Sequence, residues 1–168
     1  SDGEVSGVKT SDGMAIEADF VIISVGVKPN SGLAKNAGLK IGFKNAIFVD
    51  AYMKTTDDSI WACGDCVQTY NFITKREAYV PLGTLANRQG RIAGENLAGH
   101  KNTFKGTLAS QITKIFDLYV ASTGLTRTQA EEAGFEVEEI KIKKADKASY
   151  YPGRKDNDIK LVFDRNYG

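Results

Sequence analysis

Short apolar runs separated by turn-forming residues dominate the first hundred positions of the chain. Residues 20–25 form a nearly continuous apolar run that passes into a Gly/Pro/Asn turn, which is typical of a buried strand. Residues 47–49 and 60–63 predict two more buried strands on the same grounds. Ahead of them, residues 4–14 are interpreted as a hairpin with Ser-Asp-Gly at its turn.

Two helices are predicted in this half of the chain. Residues 33–37 predict a short helix that ends at Gly38. Residues 82–98 predict a longer one, with Pro81 at its start and Gly99 just past its end. Proline at the start and glycine beyond the end is the asymmetry expected of a helix.

The last third of the chain begins with a predicted strand over residues 112–122. Thr126 is then predicted to cap a helix, because Gln129 follows three residues later and completes a capping box. Gly134 is placed to end this helix.

Two further strands are predicted over residues 135–143 and 158–164. The alternation of apolar residues changes parity between Val137 and Ile140, which predicts a bulge or a register change. The last strand stops on an Asn-Tyr-Gly turn at residues 166–168, as if a partner strand should follow.

Composition and charge exclude several classes of function. The 168 residues include 22 basic and 21 acidic side chains, for a formal net charge of +1, which gives no field suited to nucleic acid. The apolar runs are much shorter than the roughly 20 residues of a membrane span, and no secretory signal begins the chain. We therefore expect a cytoplasmic protein, and the abrupt start and end suggest a fragment of a longer one.

The two cysteines, Cys63 and Cys66, form a Cys-x-x-Cys. This spacing occurs in thioredoxin-like redox pairs and in half of many metal sites. A zinc site needs two further ligands, and the chain offers one histidine, His100, and no third cysteine. A structural role, a redox pair and a metal site all remain open, and we expect the structural role and no metal.

Candidate chemistry centres on Gly64 and Asp65, which follow the predicted strand 60–63. Glycine has no Cβ, so a ligand can approach the backbone closely at Gly64. Asp65 would then present a carboxylate at the carboxyl end of a strand, where open α/β sheets bind ligands. An ordinary strand followed by a Gly-Asp turn is the alternative.

The order and spacing of three segments, residues 20–30, 55–65 and 81–91, resemble the pyridine nucleotide–disulfide oxidoreductases. The branch most similar holds the coenzyme A disulfide reductases, NADH oxidases and NADH peroxidases. The resemblance implies an α/β chain that is part of an FAD/NAD(P)-binding Rossmann-like flavoprotein, followed by part of an α+β dimerisation domain.

The resemblance also implies three domain pieces. Residues 1–30 would be the closing strands of the nicotinamide-binding domain, and residues 31–102 the second half of the FAD-binding domain. Residues 103–168 would be the first part of a dimerisation domain, so the intact protein is expected to be a homodimer.

The resemblance assigns cofactor contacts in two places. Asp65 would hold a ribityl hydroxyl of FAD, and Gly64 would let the backbone pass close to the cofactor. Leu82, Gly83 and Thr84, at the start of the second helix, would face the part of the flavin that becomes negative on reduction. An amphipathic helix packed on a sheet explains the same residues without a flavin.

Substrate contacts are implied in two further segments. Asn87 matches a position that faces the thiol substrate in coenzyme A disulfide reductases, and Arg88 could pair with a phosphate or be solvated. Tyr150 and Tyr151 belong to a Tyr-Tyr-Pro-Gly segment, from which one tyrosine would reach across the dimer toward the reacting sulfur. The alternative for the pair is packing at an edge or an interface.

The function implied is reduction of coenzyme A disulfide, or a related small disulfide, by NAD(P)H through FAD. The alternatives are an NADH oxidase or peroxidase of the same fold, acting on oxygen or peroxide, and a non-catalytic dimerisation or binding module. No Gly-x-Gly-x-x-Gly occurs in the chain, so both dinucleotide phosphate sites are expected elsewhere. The nucleophilic cysteine is also expected outside the chain, which alone should be inactive and hold FAD weakly.

Overall fold

The computed structural model describes residues 3–166, which form three α-helices, one 3-10 helix (Phe43–Asn45) and eight strands. The helices are α1 (Gly32–Asn36), α2 (Gly83–Leu97) and α3 (Arg127–Ala133). The strands pair as four antiparallel hairpins: β1 (Gly7–Lys9) with β2 (Ala15–Glu17), β3 (Thr69–Tyr70) with β4 (Glu77–Ala78), β5 (Gln111–Ile115) with β6 (Leu118–Ser122), and β7 (Val137–Ala145) with β8 (Asp156–Asp164). Helices and strands thus mix along the chain, as the predicted fold class requires.

The hydrophobic core lies in the middle of the chain. It joins α1, the irregular segment that follows α1, and the inner face of α2, and burial of these apolar side chains is the main force holding the segment together. Its buried members are Ala34, Ile47, Val49, Met53, Val67, Leu85, Ala93 and Phe104. The hairpins β1–β2, β5–β6 and β7–β8 lie largely outside this core, because their strands carry mostly exposed side chains.

The predictions that depended on local signals are confirmed. The first hairpin forms, with its Ser-Asp-Gly turn between β1 and β2. α1 and α2 lie where the sequence placed them, and Gly99 just past α2 has a φ of +93°. The capping box of α3 is complete: Thr126 Oγ1 accepts from the Gln129 N–H at 3.3 Å, and Gln129 Oε1 accepts from the Thr126 N–H at 3.0 Å.

The prediction of three buried strands in the first half of the chain is wrong, because none of the three runs forms a regular strand. Residues 20–25 do not form a strand, and Phe20 and Val25 are 78% and 91% exposed. A strand needs a hydrogen-bonded neighbour, and the described residues place none beside this run. Residues 47–49 and 60–63 make isolated bridges instead, Ile47 with Ile41 and Val67, and Trp61 with Lys54.

Two predictions in the last third of the chain are corrected. Residues 112–122 are a hairpin and not one strand, because the chain reverses between β5 and β6 at Phe116, whose φ is +51°. No bulge interrupts β7, which pairs with β8 in one continuous register. The parity change arises because Glu139 follows Val137 on one face and binds Lys160 at 2.6 Å. The predicted turn at residues 166–168 includes Tyr167 and Gly168, which lie outside the described residues.

None of the helices in residues 3–166 is both long enough and apolar enough to span a membrane.

Candidate flavin-contacting site

The Gly64–Asp65 segment forms a tight turn after the bridge at Trp61. Gly64 has a φ of +87°, in the left-handed region that glycine adopts without steric cost. The Val67 N–H donates to the Gly64 carbonyl oxygen at 3.2 Å and closes the turn. The Asp65 residue is exposed, so its carboxylate is available to a ligand. The carboxylate thus lies at a turn and not, as predicted, at the end of a regular strand.

This turn lies directly against α2. The Gly64 N–H donates to Gln89 Oε1 at 2.9 Å. A Cβ placed on Gly64 would lie 3.8 Å from the Cβ of Ala86, one turn into the helix. On its other side, the Tyr79 hydroxyl donates to the Asp65 carbonyl oxygen at 2.9 Å. The structure therefore brings together the two segments that the sequence assigned to the cofactor.

The start of α2 carries no side-chain cap. Leu82 is the capping residue and has no capping hydrogen bond, and the first turn contains no acidic side chain. The first N–H groups of a helix have no partner within the helix and carry a partial positive charge. Gly83 and Thr84 are both exposed at this end, and a Cβ on Gly83 would meet nothing within 4 Å. The backbone there is open to a negatively charged group.

The predicted residues on α2 divide between two concave surfaces. Leu82, Thr84 and Arg88 line a pocket of about 390 Å³ together with residues 105–108 and other side chains. Gly83 and Asn87 line a shallower cleft of about 610 Å³. Asn87 and Arg88, predicted to contact one substrate, therefore lie on different surfaces.

The Arg88 guanidinium lies 5.6 Å from the centroid of the Phe104 ring. That separation is within the range of a cation–π interaction. Arg88 is nevertheless exposed, which leaves its hydrogen-bond donors accessible to an anion.

Tyr150 and Tyr151 lie in the connection between β7 and β8. Their ring centroids are 5.0 Å apart, and the residues are 81% and 55% exposed. Within residues 3–166, the hydrogen bonds of this connection join it only to itself, and none reaches α2 or the Gly64–Asp65 turn. The structure does not bring the tyrosines to the candidate site of the same chain, and their reach across a dimer stays a prediction.

Cys63 and Cys66 are free thiols that are half-buried. The Cys66 thiol donates to the Cys63 carbonyl oxygen at 3.4 Å. Burial raises the pKa of the Cys66 thiol above its ordinary value, which disfavours the reactive thiolate. The described residues contain no group of three or more His, Cys, Asp or Glu side chains placed to hold a metal.

Sequence reasoning missed two residues that fix this site, Tyr79 and Gln89. Gln89 could have been found, because it is a polar residue four positions from both Leu85 and Ala93 on the buried face of a predicted helix. Tyr79 gives no such signal, because its hydroxyl bonds a backbone carbonyl fourteen residues away.

Comparison with known proteins identifies the family. Residues 1–90 match the pyridine nucleotide-disulphide oxidoreductases, and residues 110–168 match the dimerisation domain of the same proteins. A CoA-dependent NAD(P)H sulfur oxidoreductase of Pyrococcus furiosus is 40% identical over 92% of this chain and 35% of its own length. An NADH oxidase of Methanocaldococcus jannaschii is 43% identical over 92% of this chain and 34% of its own length.

A solved structure gives the same result. The NAD-dependent persulfide reductase of A. fulgidus superposes with a TM-score of 0.89 and 42% identity, over 92% of this chain and 29% of that one. The chain thus spans about a third of the length of the curated relatives it matches. Proteins of this family are FAD-dependent oxidoreductases that use NAD(P)H. The family match over residues 1–90 covers more than half of the 168 residues. The chain therefore belongs to the pyridine nucleotide-disulphide oxidoreductases.

Proposed function

We propose that this chain is part of an FAD-dependent NAD(P)H:disulfide oxidoreductase that reduces coenzyme A disulfide or a related small disulfide. The observation that carries the proposal is the contact between the Gly64–Asp65 turn and α2, which reaches the helix at Ala86, one turn from its uncapped start. The names of the Pyrococcus and A. fulgidus relatives support a sulfur acceptor. The activity belongs to a full-length protein, since this chain matches only about a third of each curated relative.

The residues present fit a flavin. Gly64 takes a backbone conformation that favours glycine, and the neighbouring Asp65 is exposed. The Asp65 carboxylate would accept a hydrogen bond from a ribityl hydroxyl, a charge-assisted bond of about 1.5–3 kcal/mol. FAD would supply electron transfer from NAD(P)H to a disulfide.

The start of α2 would stabilise negative charge on the cofactor. Free N–H groups at Gly83 and Thr84 make this end of the helix partly positive, and a nearby anion gains about 0.3–1 kcal/mol from such a field. No carboxylate in the first turn opposes this effect. Leu82 caps the helix without a polar side chain and would present an apolar surface to the ring system.

The substrate side of the proposal involves α2 and the tyrosine pair. Asn87 would face the thiol substrate from its open cleft, and the accessible Arg88 would pair with a phosphate of coenzyme A. In a homodimer, the hydroxyl of Tyr150 or Tyr151 would donate a hydrogen bond near the reacting sulfur of the other subunit. The nucleophilic cysteine would come from a segment outside this chain.

An NADH oxidase is the second candidate, and the Methanocaldococcus relative favours it because that protein carries this name. A non-catalytic dimerisation module is a third. The exposed apolar run at residues 20–25 opposes the third candidate, since a stand-alone module with such a run would be prone to aggregate.

The decisive experiment is anaerobic oxidation of NAD(P)H by the full-length protein with coenzyme A disulfide as acceptor. The reaction consumes one NAD(P)H and one proton per disulfide and releases two coenzyme A thiols. We expect this stoichiometry, with slow turnover on oxygen. Rapid use of oxygen or peroxide without thiol release would instead make the protein an oxidase or peroxidase. A protein that purifies without flavin absorbance would contradict both enzymes.

A further inference from the structure

A glutamine occupies a core position on α2. Leu85, Gln89 and Ala93 follow one another at intervals of four along the buried face and are 5%, 1% and 5% exposed. A buried amide is unfavourable unless its polar atoms are hydrogen-bonded, so packing alone favours leucine or methionine there. A polar contact must therefore explain Gln89.

That contact leads to the Gly64–Asp65 turn. Gln89 Oε1 accepts a hydrogen bond from the Gly64 N–H at 2.9 Å, across twenty-five positions of sequence. Gly64 precedes the carboxylate proposed to hold the ribityl chain, and α2 supplies the N–H groups proposed to face the flavin ring. The bond therefore sets the separation between the two flavin-contacting parts.

We infer that Gln89 is a positioning residue, which fixes the Asp65 carboxylate relative to the start of α2 and thereby sets the affinity and reduction potential of the bound flavin. The inference rests on the proposed function. Gln89 is buried, so it acts through Gly64 and does not touch the cofactor. Without this bond, the turn is held beside α2 only by its packing near Ala86 and by the Tyr79 hydrogen bond, so its distance from the helix start is less well fixed for a flavin that contacts both.

The test compares two buried glutamines in the full-length protein. Gln89→Met keeps the length of the side chain and removes the acceptor for Gly64. The matched control is Gln68→Met, because Gln68 is also 1% exposed and also accepts a backbone N–H, from Phe43 at 3.0 Å. For each variant, the dissociation constant of FAD, the midpoint potential of the flavin and the denaturation midpoint are measured.

We expect Gln89→Met to weaken FAD binding about tenfold, because binding must then fix the turn, at a cost comparable to one hydrogen bond, and to make the midpoint potential more negative. Gln68→Met should leave FAD affinity and potential unchanged, whatever its effect on stability. The inference is overturned if Gln89→Met keeps both flavin properties, or if Gln68→Met changes them equally.

Hydrogen exchange on the wild-type holoprotein gives a second readout, which stays decisive if Gln89→Met does not fold. The Gly64 amide should be strongly protected, and exchange as fast as that of an exposed loop amide would overturn the inference. If the wild-type protein binds no flavin, both this inference and the proposed function are contradicted. A flavoprotein with an unprotected Gly64 amide would remove the inference alone.

Discussion

The hydroxyl group of Tyr79 donates a hydrogen bond to the backbone carbonyl oxygen of Asp65 at 2.9 Å. Together with the bond from the Gly64 N–H to Gln89, it anchors two consecutive residues of the turn to different parts of the protein. Burial raises the pKa of Tyr79 above its ordinary value, and the Asp65 carboxylate adds to this effect. The hydroxyl therefore remains protonated, and able to donate, throughout the neutral pH range.

Replacing Tyr79 by phenylalanine removes this bond and keeps the ring. The free energy of unfolding should fall by about 0.5–1.5 kcal/mol, the usual contribution of one hydrogen bond. Because the pKa is raised in the folded state, the stabilisation is complete below the ordinary tyrosine pKa of 10.0 and is lost as pH rises through the folded value. Urea denaturation of both proteins should therefore show a difference at pH 7 that shrinks above pH 10.

The control for this measurement is Tyr70→Phe, because Tyr70 is 42% exposed and its hydroxyl has no hydrogen bond among the described residues. If the denaturation midpoints at pH 7 are equal for both variants and the wild type, the Tyr79 bond does not stabilise the turn.

Removal of the Asp65 carboxylate should weaken flavin binding. A charge-assisted bond of about 1.5–3 kcal/mol predicts that Asp65→Ala raises the dissociation constant of FAD roughly 10- to 150-fold. Asp65→Asn keeps a neutral acceptor and should lose less. The control is Asp58→Ala. The Asp58 carboxylate lies in the same segment but pairs with Lys54 at 2.6 Å. Fluorescence titration of the apoprotein with FAD measures all three, and equal affinities for the two alanine variants would exclude Asp65 from the flavin site.

The parts of the fold that the sequence predicted well are those set by neighbouring residues. The capping box of α3 needs only Thr126 and Gln129, three positions apart, and its hydrogen bonds form as expected. The bounds of α2 follow in the same way from Pro81 and Gly99. Such local signals hold in any tertiary environment that tolerates a helix.

The predictions that failed depended on partners distant in sequence. The apolar run at residues 20–25 has the composition of an inner strand, but a strand exists only where another strand supplies hydrogen bonds, and none among the described residues does so. Within the candidate site, the Gly64–Asp65 turn and α2 were predicted separately. Their contact was not predicted, because the position of Gln89 on the buried helix face shows that it needs a partner, but nothing in the sequence shows that the partner is Gly64, twenty-five positions away.

The thiol of Cys66 should react slowly at neutral pH. Its pKa is raised above the ordinary value of 9.0, chiefly by burial, so little thiolate forms below pH 9. In a Cys63→Ser variant, which leaves one thiol of the pair, modification by an aromatic disulfide reagent should be slower than that of N-acetylcysteine at pH 7 and accelerate above pH 9. Faster modification of the variant at pH 7 would favour the redox pair, and so would a Cys63–Cys66 disulfide detected by mass spectrometry in the wild-type protein.

The tyrosine pair is tested by removing one hydroxyl at a time. Tyr150→Phe and Tyr151→Phe keep the rings, whose centroids are 5.0 Å apart, and delete one donor each. If one hydroxyl donates a proton near the reacting sulfur, the matching variant should lower kcat for coenzyme A disulfide by about 100-fold or more, with FAD content unchanged. Tyr119→Phe, in exposed strand β6, is the control. If both variants reduce coenzyme A disulfide in a single turnover as fast as the control, the pair has only a packing role. If one variant alone is slower, its tyrosine is the one that donates to the substrate.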